Sequence, residues 1–431
     1  MLGKLWIYLL FCNKLRQNLQ KMRFKTINIQ NYKCFKKLEL DCTKKDGSIH
    51  QWTVLLGNNN TGKTSVLKAI ANLRPILLRK GDGNRINFLE ESKIDKEYVP
   101  VEFFYGEVLK GAKEDANVAC TTTIPELGPW EYGDDGFSVG LNPQLEKFRI
   151  YAYGVSRYPS KTSLSESGCG DCASLFSSEQ RLVNMEEWLM QLDYAAKNEN
   201  VEANKRLYRI HELLCSKLFP EIKDFKFESS DELHNYVLFL TDDGWFRYTQ
   251  LGYGYQSMLS WVVDFCKRMF ERYPDSENPL GENAIVLIDE IDLHLHPMWQ
   301  RNIISFLSNA FPNVQFIVTT HSPLVIQSMN EVNLYVLHRD GDQIVAEHSE
   351  VSNFQGWTVE EILRDTMRME ENTRSDHYQK YIRLFDDGLD KADKEKVNEA
   401  YRVLCEILHP ENPIRRILEF QRSQMEEDDK A

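Results

Sequence analysis

Residues 52–56 read WTVLL, an apolar run of strand length, and residues 64–73 read TSVLKAIANL, with apolar positions at helical spacing. The pattern predicts a strand, a loop and a helix. Upstream, residues 23–30 alternate apolar and polar as a half-buried strand does, and FKKLELDC at 35–42 reads as the hairpin partner. Further strand-like runs lie at 99–104, 119–124 and 148–153. The period then changes. Residues 179–218 are rich in Leu, Glu and Lys at helical spacing, most clearly in MEEWLMQLDYAA, which predicts a helical insertion between two β-rich parts. VLFLTDDGWFRYT at 237–249 predicts a hairpin turning at Asp-Gly. Two more apolar runs, at 284–288 and in VQFIVTTHSPLVI at 314–326, read as buried parallel strands with polar ends, and 298–311 between them is helical. From 358 onward the chain reads as helix; TVEEILRDTM opens with a Thr cap and a Glu at the third position. No fixed-period repeat is present.

Composition narrows the class. The 431 residues have room for two or three domains, and 42% hydrophobic with 27% charged residues describes a folded chain with a large core. A net charge of −13 disfavours broad non-specific binding to nucleic acid, though a local basic groove stays open. The nine cysteines are scattered; Cys169 and Cys172 have C-x-x-C spacing in a Ser/Gly-rich loop, with no second pair to complete a tetrahedral zinc site. Unpaired cysteines fit a reducing compartment, so a cytoplasmic location is expected. LWIYLLFC at 5–12 is too short to span a bilayer and lacks a small-residue cleavage site. Residues 1–21 therefore read as an N-terminal extension or a mis-called start, with MRFKTINIQNY at 22 as the natural beginning, and no membrane partner is expected.

The chemistry concentrates in GNNNTGKTS. Gly57, Asn58, Asn59, Asn60, Thr61, Gly62, Lys63 and Thr64 fit G-x-x-x-x-G-K-[ST], followed by Ser65. A polyphosphate lies against inward-pointing backbone N–H groups, and glycines let that backbone approach without a Cβ in the way. Lys63 would reach the β- and γ-phosphates and the Thr64 hydroxyl would hold Mg²⁺. The apolar run 284–288 ends in Asp289 and Glu290: the first suits Mg²⁺, the second the positioning of an attacking water. His321, at the tip of the next strand, is placed to hydrogen-bond a γ-phosphate. ATP and Mg²⁺ are the expected cofactors. His294 and His296 in HLHP follow the acidic pair and read as structural.

This order of motifs resembles the ABC-type ATPase heads of the RecF, SMC and OLD class, since an AAA+ module keeps its metal carboxylate much nearer the P-loop. In that class a glycine-rich signature completes the ATP site of a second subunit. LGYGYQSML at 251–259 is its counterpart, so the resemblance implies that Gly252, Gly254, Gln256 and Ser257 act in trans across an ATP-sandwich dimer. The class has a serine where this chain has Gly252, which puts the hydrolysis rate in doubt. Arg157 sits at the junction to the arm and is implied as a nucleotide sensor; Lys33 in NYKCF is implied near phosphate or ribose. The AYGVSR junction, EIDLHLHP and GWTVEEILRD together resemble the PtuA family of ATPases from bacterial Septu anti-phage systems, also found in retron operons.

The fold expected is α/β: an ABC-ATPase-like P-loop NTPase head with a helical insertion and an α-helical C-terminal domain. Its parts are the head with P-loop at 22–155, the insertion at 156–224, the second head part with signature, acidic strand and His strand at 225–350, and the C-terminal domain at 351–431, expected to serve oligomerisation or partner binding. The resemblance implies an ATP-hydrolysing regulatory subunit, self-associating into dimers or higher oligomers, that controls an HNH nuclease partner, PtuB, which would contact the nucleic acid. No H-N-H cluster appears in the chain, and the acidic LFDDGLDKAD at 384–393 reads as a solvated helix face. The alternatives are a RecF-like repair ATPase acting on DNA directly, a nucleotide-bound scaffold with little hydrolysis, and an OLD-like nuclease in one chain.

Overall fold

The structure, a computed structural model, describes residues 22–73, 76–79, 96–99, 117–123, 130–133, 136–138, 149–161, 170–231, 235–368 and 374–427. The segment 1–21, most of the run 99–104, Ile124, Phe148 and Cys169 lie outside the described residues. The chain forms two compact units, Met1–Trp357 and Thr358–Ala431.

The centre of the first unit is a six-stranded sheet. In spatial order its strands are Gln343–His348, Asn333–Asp340, Trp52–Gly57, Gln315–Thr320, Ile285–Ile288 and Ile150–Tyr153. All neighbours are parallel except the first pair. Trp52–Gly57, Gln315–Thr320 and Ile285–Ile288 are buried along their whole length. Strands covered on both faces need continuous apolar runs rather than alternation, which is why 52–56 and 284–288 read as they do.

One face of this sheet carries the helix Lys63–Ala71. Val66, Leu67 and Ile70 join Leu55, Ile285, Leu287 and Ile317 of the parallel sheet and Phe24, Ile27, Ile29 and Leu40 of an antiparallel sheet in one core. That second sheet runs Phe35–Asp41, Phe24–Tyr32, Asn117–Thr122, Trp130–Gly133 and Gly136–Ser138. Each such side chain contributes about 1.5–3 kcal/mol on burial, so the helix after the P-loop is clamped between two sheets. On the opposite face the 20-residue helix Tyr253–Arg272 supplies Trp261 and Phe265, which meet Tyr153 and Tyr151 at ring separations of 5.5 and 5.4 Å.

Two helices, Met185–Lys197 and Val201–Leu214, fill the stretch read as an insertion; Asn184 and Asn200 cap them by accepting from the Glu187 and Ala203 N–H groups. A three-stranded sheet follows, Asp224–Ser229, Asn235–Thr241 and Gly244–Arg247. Its hairpin corrects one expectation: Thr241 pairs with Gly244, so Asp242 and Asp243 form the turn and Gly244, at φ 123°, opens the return strand.

The second unit holds the helices Asp376–Asp390, Lys394–Ile407 and Pro413–Glu427. They bury Phe385, Val397, Ala400, Leu404, Leu408 and Leu418. Asp386, Asp387 and Asp390 are on the exposed side of the first of them. Thr358 and Glu361 form a capping box at the unit's start. Among the described residues no helix is long and apolar enough to cross a membrane.

Candidate functional site

The C-terminal ends of the parallel strands bring the motifs together. Trp52–Gly57 and Ile285–Ile288 are separated by Gln315–Thr320, so the phosphate loop, Asp289 and His321 emerge from one sheet edge. Ligand sites of open α/β sheets gather at such edges.

The loop is tightly wound. A Cβ on Gly57 would lie 2.5 Å from the Leu337 carbonyl oxygen, and one on Gly62, at φ 81°, would lie 2.8 Å from both Cys34 Sγ and the Phe35 ring. Asn60 has φ 64°. Asn58, Asn59 and Asn60 are exposed at the tip, and Thr61 Oγ1 donates to the Asn58 carbonyl at 2.8 Å. The Lys63 ammonium is buried inside the loop, donating to the carbonyls of Gly57 at 2.8 Å and Asn58 at 2.9 Å. Burial lowers its pKa, while Asp289, Glu290 and Asp292 pull the other way. Ser65 Oγ accepts from Lys33 Nζ at 3.5 Å.

Asp289 is 3% exposed and fixed on both oxygens: Thr64 Oγ1 donates to Oδ2 and Thr319 Oγ1 to Oδ1, each at 2.7 Å. Thr319 Oγ1 also accepts from the Glu290 N–H at 2.7 Å. Glu290 itself has φ 49°, a left-handed conformation that a non-glycine residue adopts at a cost of about 1–3 kcal/mol. The surroundings hold it there: the buried Arg157 guanidinium donates to the Asp289 and Glu290 carbonyls from below the turn. Burial brings the Arg157 pKa down to about 10, which leaves it a cation at neutral pH. His321 is half-buried, and desolvation followed by the nearby Lys63 charge lowers its pKa, so the imidazole is neutral at pH 7. A hydroxyl 2.7 Å from a carboxylate is a hard-oxygen donor pair that suits Mg²⁺.

The signature segment forms the start of the helix Tyr253–Arg272, with Gly252 as its exposed N-cap. Gly254 backs onto the loop after the acidic pair, where a Cβ would lie 2.5 Å from the His294 carbonyl oxygen. Gln256 turns its amide back onto the Thr249 and Leu251 carbonyls, and Ser257 is buried. His296 accepts from the Met298 N–H and so caps the helix Pro297–Gln300.

Three contacts escaped the sequence reading. Arg157, expected near nucleotide, donates to the backbone carbonyls of Asp289 and Glu290. Thr319 joins both acidic residues; its only signal was a Thr pair ending an apolar strand. A third cluster sits deeper: Asp264 on the signature helix accepts from Tyr153 Oη at 2.9 Å, the Val183 N–H at 3.1 Å and Arg268 Nε at 2.6 Å. An acidic residue inside SWVVDFCKRMF was its visible trace.

Comparison with known proteins finds ATPase-domain families and named relatives. The family described as "AAA ATPase domain" matches residues 22–123, and the family described as "AAA domain, putative AbiEii toxin, Type IV TA system" matches 180–327. The Septu protein PtuA of Bacillus thuringiensis is 37% identical over 193 residues, 44% of this chain and 48% of that protein. PtuA of Bacillus mycoides (strain KBAB4) is 28% identical over 358 residues, 81% of this chain and 45% of that protein. The chain thus spans about half the length of these relatives. The "Retron Ec83 probable ATPase" of Escherichia coli is 25% identical, covering 84% of this chain and 80% of that one. Among solved structures, an SMC head bound to the C-terminal winged-helix domain of ScpA is 13% identical with a TM-score of 0.46, covering 77% of this chain and 98% of that chain. The P-loop, acidic strand and histidine strand meet at one sheet edge, and the chain is similar to AAA ATPase domains and to the Septu PtuA proteins.

Proposed function

We propose that the chain is an ATP-binding and ATP-hydrolysing regulatory subunit of an anti-phage defence complex, working with an HNH nuclease as partner. The observation that supports it most is the chain Thr64–Asp289–Thr319–Glu290, which joins two hydroxyls, the Asp289 carboxylate and the strained Glu290 turn beside the buried Lys63 ammonium. Lys63 would exchange its contacts with the Gly57 and Asn58 carbonyls for phosphate oxygens, and the 57–65 backbone would cradle the phosphates. Thr64 and Asp289 would hold Mg²⁺, which supplies charge neutralisation on the phosphates. Glu290, locked by Thr319 and Arg157, would orient the attacking water, and neutral His321 would sense the γ-phosphate. The signature residues Gly252, Gly254, Gln256 and Ser257 would face the nucleotide of a second copy. The similarity to PtuA and retron ATPases supports the defence role and the partner.

The purified chain should retain labelled ATP, and Lys63→Ala should abolish retention. Glu290→Gln should keep retention and slow turnover about 10²–10⁴-fold, the range typical of a lost general base. Retention untouched by Lys63→Ala sinks the nucleotide site. Co-purification with an HNH protein and plasmid cutting that responds to ATP tests the partner; nuclease activity from this chain alone would overturn the assignment. A second reading, a nucleotide-bound scaffold, is favoured by the missing hydroxyl at Gly252, and equal turnover in the native and Glu290→Gln chains would select it.

A further inference from the structure

Away from the nucleotide site, the helix Val201–Leu214 ends where the strand Asp224–Ser229 begins a new sheet. Among the described residues, His211, Cys215 and Asp224 are the one group of three metal-ligating side chains whose ligand atoms all lie within 4.8 Å of one another. His211 and Cys215 are four residues apart, so the end of the helix presents both on one face. Cys215 Sγ lies 3.7 Å from His211 Nε2, and Asp224 Oδ1 lies 2.8 Å from the same nitrogen.

We propose that His211, Cys215 and Asp224 form a binding site for a divalent transition-metal ion of the zinc class, which staples the end of the helix Val201–Leu214 to the strand Asp224–Ser229. The distances carry this. Zinc bonds of about 2.3 Å to sulfur and 2.0–2.1 Å to nitrogen, set tetrahedrally, put S and N about 3.5 Å apart. The 3.7 Å observed is that separation with little movement. The 2.8 Å His–Asp contact is a hydrogen bond sharing one proton; an ion replacing that proton would open it to about 3.3 Å, half an ångström of side-chain motion.

The donor set selects the ion. A thiolate with an imidazole favours zinc-class metals over Mg²⁺ or Ca²⁺, which take oxygen ligands. The carboxylate is already oriented, because Asp224 Oδ1 also accepts from the Phe225 N–H at 2.8 Å, and the Phe225 ring lies 5.3 Å from that of His211. His211 and Asp224 side chains are 45% and 48% exposed, so solvent reaches the fourth position. Without an ion, burial and then the Asp224 charge raise the Cys215 thiol pKa to about 11. Binding forms metal–sulfur and metal–nitrogen bonds, releases the thiol proton to solvent and moves the proton shared by His211 Nε2 and Asp224 to the ring's Nδ1. A half-exposed His–Asp pair by itself would contribute little and would not use the sulfur.

Cobalt(II) titration of the reduced full-length chain tests the site, with circular dichroism to confirm that each variant is folded. The expected result is a stoichiometric thiolate-to-cobalt charge-transfer band that zinc removes by displacement. Cys215→Ser should abolish the band. His211→Ala and Asp224→Asn should each weaken cobalt binding at least about tenfold, the scale that even outer-shell changes reach. No band in the native chain overturns the proposal. So does a band that survives Cys215→Ser, which would mean an adventitious ion only, on another of the nine cysteines.

Discussion

The nucleotide face and the C-terminal helical unit are held by different kinds of bond. At the face, polar side chains meet across long stretches of chain: Thr64 reaches Asp289, Thr319 reaches back to Asp289 and Glu290, and Arg157 reaches the carbonyls beneath them. In the Thr358–Ala431 unit the polar bonds join residues closer in sequence, Arg374 to Glu360 and Arg415 to Cys405 among them, and many are caps. Ser375 accepts from the Tyr378 N–H, Asp393 from the Lys396 N–H, and Thr358 and Glu361 cap each other. The first region is pre-organised by topology: its side chains are correct only if four strands are in register. The second is organised by helix propensity and caps, each worth about 1 kcal/mol, around a small apolar core. A left-handed non-glycine residue occurs in both regions: Ala392 in the helical unit merely joins two helices, whereas Glu290 at the face is one of the acidic pair itself.

The sharpest way to break that contrast is to empty the small core. Phe385 is fully buried there. Phe385→Ala should cost the Thr358–Ala431 unit about 3–5 kcal/mol, the usual scale for deleting a buried phenyl ring. Thermal unfolding followed by circular dichroism should then show the helical unit melting early, while ATP retention by Lys63 stays at the native level. Loss of retention together with the helices would show that the two regions are not independently organised.

Thr319→Val probes the opposite region at smaller scale. The shape is kept, but Asp289 Oδ1 loses its donor and the part-buried Glu290 N–H its acceptor. Leaving such groups unpaired costs about 1–3 kcal/mol. Urea unfolding should register that loss, and Thr319→Ser, which keeps the hydroxyl, should recover most of it. Turnover should fall in Thr319→Val more than ATP retention does, because Glu290 is freed while Lys63 is untouched. Equal losses in the Val and Ser variants would mean that the methyl group, not the hydroxyl, matters at this position.

The same contrast explains what could be read from the chain. Gly57, Gly62, Lys63 and Thr64 were legible because phosphate chemistry demands those residue types at that spacing, and the apolar runs on either side were legible because a sheet covered on both faces demands them. The Thr358–Glu361 box was legible because a cap is a local pattern. Thr319, Arg157 and Asp264 were not, since a threonine, an arginine and an aspartate acquire their meaning only when strands distant in sequence are laid side by side. The Asp242–Asp243 turn was displaced by one residue for a local reason: Asp-Gly is a strong turn signal, yet Gly244 uses its positive φ inside the return strand.

The two glycines of the signature segment carry the comparison to its finest scale. Gly254 is required by packing, because a side chain there would strike the His294 carbonyl. Gly252 is not: its φ is −58° and a Cβ would meet nothing within 4 Å. Gly252→Ser should therefore fold normally, and since glycine is itself a tolerable N-cap, stability should rise by only a few tenths of a kcal/mol. Its larger consequence is chemical. If this helix end closes over the triphosphate of a second copy, the new hydroxyl adds a donor to the phosphate, and steady-state ATP turnover should increase with protein concentration more steeply than in the native chain. A variant as stable as expected but with an unchanged concentration dependence would place the signature face away from the nucleotide, and Gly252 would then be an ordinary cap on an ordinary helix.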